Sequence, residues 1–199
     1  MFNPDQLLTS HSRVARRDRG PLFRALLLLV LLTAGCLAAG LARAAEGEAS
    51  GLPLPRFATT RSSPINVRVG PSTRYDIAWV YVKPGTPVEI VQEFDTWRKI
   101  RDFDGSVGWV HQNLLSGKRA GLAAPWTEEE TTPLLSGRDP EGGVRAWLTS
   151  KFRVDIKSCD GQWCAVSATS KLEEGRTASY SGYLPQAKLW GVYQGEAFD

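Results

Sequence analysis

The sequence predicts an all-β protein: two tandem small β-barrels that follow an N-terminal signal or anchor segment. Three observations predict it. Short alternating or β-branched runs recur between strong turn signals, as in Asn66-Val67-Arg68-Val69 before Gly70-Pro71-Ser72 and Val107-Gly108-Trp109-Val110 after Asp104-Gly105. No segment of the barrels sustains helical periodicity. The pattern of the first half also returns in the second: Val88, Ile90 and Trp97 recur as Val154, Ile156 and Trp163, each 66 positions later.

The N-terminus comes first. Arg13, Arg16, Arg17, Arg19 and Arg24 precede the apolar run Leu26 to Leu32, and small residues continue to Ala45. A positive n-region, a leucine-rich h-region and Ala42-Arg43-Ala44 make residues 1–44 a signal peptide cleaved after Ala44. Two alternatives stand beside it. The uncharged stretch from Ala25 to Ala42 is at the lower edge of membrane-spanning length, so a retained anchor is the first alternative. Leu32-Thr33-Ala34-Gly35-Cys36 is similar to a lipidation motif with its leucine one position early. All three place the remainder outside the cytoplasm, in the periplasm.

Removing residues 1–44 changes the charge. The whole chain carries a net +3, whereas the remainder holds 18 basic and 19 acidic residues, a net −1. The basic excess belongs to the leader, and no nucleic-acid footprint remains on the folded part. A membrane partner is expected only through a retained N-terminal segment. After residue 44 the two cysteines are Cys159 and Cys164, an even pair in an exported chain, which reads as a disulfide. Asp160-Gly161 supplies a turn between them.

Residues 45–56, rich in Gly, Ala, Ser and Pro, read as a flexible tether. The first barrel is expected over 57–117. Asn66 to Val69, Ile77 to Val82, Val88 to Val91, Trp97 to Arg101 and Val107 to Val110 are its five strands, and His111 to Leu115 forms a single 3₁₀ turn. Residues 118–125 read as a linker and 126–193 as the second barrel. Gly108-Trp109 matches Gly182-Tyr183 at 74 positions rather than 66, which places an inserted hairpin around Lys171 to Arg176. Residues 194–199 are a tail. Barrels of about sixty residues bury only about 60% of the unfolded chain's surface. The seven tryptophans are therefore expected to matter, with Trp97, Trp109, Trp163 and Tyr183 as core residues.

Asn66-Val67-Arg68 before Gly70-Pro71-Ser72, with Trp97 to Ile100 and Gly108-Trp109-Val110, resembles the bacterial SH3-like domains. The tandem arrangement, with Cys159, Trp163-Cys164 and Leu189 to Tyr193, is similar to a family of exported proteobacterial proteins of unknown function. The resemblance runs from Pro64 to Tyr193. The second copy departs from it, since Leu134 to Arg138 stands where the Asn-Val-Arg motif would be. The resemblance implies small β-barrels, export and association with the cell wall.

No catalytic set emerges. After residue 44 the sole histidine is His111, read as a surface or packing residue, and with both cysteines bridged no zinc site or thiol nucleophile assembles. Glu128-Glu129-Glu130 reads as a solvated acidic run. No cofactor, no metal and no enzymatic activity are expected. Tyr75, Asp76 and Trp79 flank the Gly70-Pro71 loop and are the candidate ligand contacts, because grooves of this kind take extended peptides on aromatic faces. Asn66, Arg68, Gly70 and Pro71 are expected to hold the loop. The function expected is a non-catalytic binding module for cell-wall peptide or an envelope protein. The alternative is a structural or regulatory subunit docked on an envelope enzyme or transporter.

Overall fold

The computed structural model describes residues 45–127 and 130–199. The signal or anchor segment, Cys36 within it, and Glu128 and Glu129 of the acidic run lie outside the described residues. The described chain opens with a two-stranded antiparallel pair, β1 (Ala45–Glu46) and β2 (Pro53–Leu54). The first sheet follows: β3 (Arg56–Thr60), β4 (Ile65–Arg68), β5 (Ile77–Tyr81), β6 (Pro87–Phe94), β7 (Trp97–Arg101), β8 (Val107–His111), a 3₁₀ turn at Gln112–Leu114, and β9 (Leu115–Ser116). Its strands are antiparallel in the order β5-β4-β8-β7-β6-β3-β9. The two outer strands are not paired with each other, so the barrel is open.

The second sheet comprises β10 (Ala120–Ala123), β11 (Thr132–Leu135), β12 (Val144–Leu148), β13 (Arg153–Asp160), β14 (Trp163–Lys171), β15 (Thr177–Pro185), β16 (Leu189–Trp190) and β17 (Ala197–Phe198). Its order is β12-β11-β15-β14-β13-β10-β16, with β17 added on β13. This is the strand order of the first sheet. The fold is all-β, and among the described residues no helix is long and apolar enough to cross a membrane.

The turns explain the registers. Asp95, at φ 49°, turns the chain between Phe94 and Trp97, which face each other across β6 and β7. Aspartate tolerates this left-handed backbone better than most side chains. At the matching place in the second sheet Cys159 pairs directly with Cys164, their alpha carbons 4.1 Å apart, and the disulfide closes the turn. Asp160 accepts the backbone N–H groups of Gln162 and Trp163, which satisfies the turn and holds its carboxyl below the ordinary value. The inserted hairpin is a β14–β15 ladder paired from Trp163–Pro185 out to Lys171–Thr177.

Three segments differ from expectation. Residues 45–56 are not a loose tether. Ser50 donates through its backbone and hydroxyl to Glu93 at 2.9 and 2.7 Å, which fastens the β1–β2 hairpin to the first sheet. Within 118–125, Ala120–Ala123 is a fully buried strand rather than a linker. Its small residues are a packing requirement: a Cβ on Gly121 would lie 2.9 Å from the Trp190 carbonyl and 3.1 Å from Ile156. The tail contributes β17, whose Phe198 pairs with Cys159.

The cores are aliphatic. Ile65, Val67, Val88, Ile100 and Val110 fill the first, and Leu134, Val154, Val166, Leu184 and Leu189 the second. Trp109 is buried and Trp97, Trp163 and Tyr183 are half-buried, and all four lie outside both clusters. Strand phase is the reason for Trp97. Arg98 and Ile100 point inward along β7, so Trp97, Lys99 and Arg101 take the other face. An inward arginine is tolerable because it meets a buried carboxylate. Glu93, with its side chain 0% exposed, pairs with Arg98 at 3.2 Å and Arg56 at 2.6 Å.

Candidate functional site

The two sheets meet along a seam, and the seam carries the functional geometry. The described residues belong to one compact unit. On one side of the junction Phe57 of β3 stacks edge-on against Trp190 of β16 at 5.2 Å and lies 4.8 Å from the Tyr193 ring. Arg119 sits 4.4 Å over the Phe198 ring and is clamped by both oxygens of Glu196 at 2.7 and 2.9 Å. Burial pushes the Glu196 carboxyl up, but the Arg119 hydrogen bond, the Tyr193 backbone N–H and the Arg119 charge outweigh it and hold it below its ordinary value.

Arg153, the first residue of β13, forms the ridge of the seam. Its Nε donates to the Gly85 carbonyl of the first sheet at 2.6 Å, and its guanidinium pairs with Asp155 at 2.6 Å. Gly85 permits this approach. It sits at φ 72°, and a Cβ there would meet the guanidinium at 2.7 Å.

A cleft lies on each side of this ridge. The first, about 510 Å³, has Pro87, Phe103 and Leu122 as apolar wall and Lys83, Asp102, Lys151 and Arg153 as charges. Asp102 accepts the Tyr81 hydroxyl at 2.7 Å and the Phe103 N–H at 2.7 Å. Burial, then the Asp102 bond and charge, push the Tyr81 hydroxyl well above its ordinary 10.0, so it stays a proton donor. Lys151, at φ 63°, places its ammonium 5.3 Å from the Phe103 ring centre. The second cleft, about 610 Å³, holds Arg61, Lys118, Arg153 and Asp155.

The residues anticipated from sequence sit elsewhere. Tyr75 is 48% exposed and its ring covers Gly70, where a Cβ would come within 2.6 Å of it. Arg68 donates to the Tyr75 carbonyl at 2.6 Å, and Val69 N–H to the Asp76 carbonyl at 3.1 Å, so Arg68, Gly70, Tyr75 and Asp76 belong to one loop structure. Pro71 is half-buried in that loop and Asn66 is exposed on β4. Trp79 is half-buried, packs on the first core and Gly108, and meets Tyr81 edge-on at 6.2 Å. These residues do not line the seam clefts. Trp163 walls a separate hollow with Pro133 and Pro185, and Tyr183 lies under Arg138 at 5.3 Å.

His111 caps the 3₁₀ turn through Asn113 N–H and meets the Trp97 ring edge-on at 5.6 Å. Among the described residues no group of three or more His, Cys, Asp or Glu side chains is placed to hold a metal ion. Sequence reasoning missed Lys83, Phe103, Lys151 and Arg153. They come from four distant turns and strand ends, and only the docking of the sheets brings them together.

Comparison with known proteins places one part of the chain. Residues 61–117, from the end of β3 through β9, match the bacterial SH3 domain family. No curated protein matches the chain. Similar solved structures include those of NlpC2 and NlpC1 from Trichomonas vaginalis, at 12% and 15% identity, covering 68% and 72% of this chain, each with a TM-score of 0.28. The match spans 48% of each of those chains, about half their length.

Proposed function

We propose that this protein is a non-catalytic, exported binding module that recognises cell-wall peptide or an envelope protein. The observation that carries the reading is the bacterial SH3 domain over residues 61–117, since small barrels of this kind present loops and clefts rather than a reaction centre. The clefts beside Arg153 fall in the size range of ligand sites. His111 is occupied as a turn cap and ring partner, which favours binding over catalysis. The Cys159–Cys164 disulfide is compatible with an oxidising, extracytoplasmic location, in keeping with the leader read from the sequence.

The test is a photoreactive amino acid placed at position 75 and, separately, at position 83 in growing cells. The reading expects a defined adduct, with wall peptide or with one envelope protein, from at least one position. Adducts with neither contradict it.

A further inference from the structure

We propose that the seam between the two sheets is a binding site for an extended peptide carrying several carboxylates, laid across Arg153 so that it touches both sheets at once. This rests on the binding-module reading and gives its ligand a chemistry.

The argument begins with charge. Five cations line the two clefts: Lys83, Lys151, Arg61, Lys118 and the shared Arg153. Two carboxylates face them, and both are engaged, Asp155 by Arg153 and Asp102 by the Tyr81 hydroxyl and a backbone N–H. Among the described residues no carboxylate lies within ion-pair distance of Lys83, Lys151, Arg61 or Lys118. The chain after residue 44 carries a net −1, so this concentration of positive charge is local and not a reflection of composition. Unneutralised cations gathered in a concave site attract and orient an anion.

Shape narrows the class. Two open clefts that share Arg153 suit a linear ligand rather than a compact one. Four of the five cations are exposed and pair with no described carboxylate, Lys151 resting against the Phe103 ring, while Phe103 and Leu122 supply apolar surface for the ligand's aliphatic parts. Most of the free cations are ammonium groups, point charges that suit separated carboxylates better than the convergent fork a phosphate prefers. Lys83 and Arg61 come from the first sheet's side and Lys151 from the second's, so neither sheet alone holds the site.

The test uses the full chain and a labelled peptide of alternating alanine and glutamate, with the alanine–glutamine peptide as its uncharged counterpart. Fluorescence anisotropy should show the acidic peptide binding about tenfold more tightly or better, with affinity falling as salt rises. Replacing both exposed lysines, Lys83→Gln with Lys151→Gln, should weaken it by about tenfold and leave the circular dichroism spectrum unchanged. Equal binding of both peptides, no loss in the double variant, or displacement of the peptide by inorganic phosphate at comparable concentration would each overturn the inference. A chain that crosslinks to an envelope ligand yet ignores the acidic peptide would fail this inference and leave the binding reading standing. The reverse pair of results would fail the envelope reading alone.

Discussion

The Tyr193 hydroxyl donates a 2.9 Å hydrogen bond to Glu89, and Glu89 holds Arg101 at 2.6 Å on its other oxygen. A tyrosine just beyond β16 is thereby fastened to a buried carboxylate on β6 of the first sheet. Removing only the hydroxyl, in Tyr193→Phe, keeps the ring against Phe57 and deprives Glu89 of one donor. The expected cost is about 1–2 kcal/mol, read as a lower denaturant midpoint at unchanged slope.

Alkaline pH probes the same contacts. Burial, followed by the carboxylate partner's bond and charge, raises both Tyr193 and Tyr81 above their ordinary 10.0. The folded state keeps these protons when the unfolded chain has lost them. Their contribution is therefore complete below pH 10 and declines as pH rises beyond it. Unfolding free energy measured against pH should fall above about 10, and the double variant Tyr81→Phe, Tyr193→Phe should flatten that decline.

Glu93 acts in the opposite direction. Burial raises its carboxyl, but hydrogen bonds from Ser50 and Arg56 and the Arg98 and Arg56 charges outweigh burial and hold it below 4.5. Its stabilisation is present above that value and is lost as pH falls below it. Glu93→Gln removes the buried charge that pairs Arg98 and Arg56 and should cost about 3 kcal/mol. Hydrogen exchange should also quicken across residues 45–54, which Ser50 ties to this carboxylate.

Gly191 has no room for a side chain. It lies at φ 124°, and a Cβ would collide with the Ala120 carbonyl. Gly191→Ala should destabilise by about 3 kcal/mol through backbone strain and the displaced β10, as measured by thermal unfolding. Gly175→Ala, also at positive φ but with open space around it, should show the smaller cost of strain alone.

Reducing the disulfide should leave the protein folded. Cys159 and Cys164 are five positions apart, so the loop they close is short. The bridge is worth about 2 kcal/mol in chain entropy, and equilibrium unfolding with and without reductant should differ by no more.

Much of the fold was legible because strands advertise themselves by turn chemistry. Asp104-Gly105, Lys83-Pro84-Gly85 and Asp160-Gly161 stand where the chain reverses, and the 66-position offset carries β6 onto β13 and Trp97 onto Trp163. Phase was harder. In Trp97-Arg98-Lys99-Ile100 hydrophobicity alone draws tryptophan inward, yet Arg98 points inward because Glu93, five positions earlier across a turn, needs a counter-charge. Small residues also misled. Ala120-Gly121-Leu122-Ala123 has the composition of a linker and is instead a fully buried strand. Arg68 and Gly70 read as loop residues from local motif chemistry and Tyr75, read as a ligand contact, packs on the same loop, whereas Lys83, Lys151 and Arg153 share no motif. Their juxtaposition is a product of how Tyr193, Trp190 and Arg153 dock the second sheet on the first.

The most direct test is sedimentation of residues 45–199 with purified cell-wall sacculi across a range of protein concentrations, alongside capture from solubilised envelope. The account predicts saturable pelleting or stoichiometric capture of one envelope protein, weakened by added salt. No pelleting and no captured protein, from a chain shown to be folded, would contradict it.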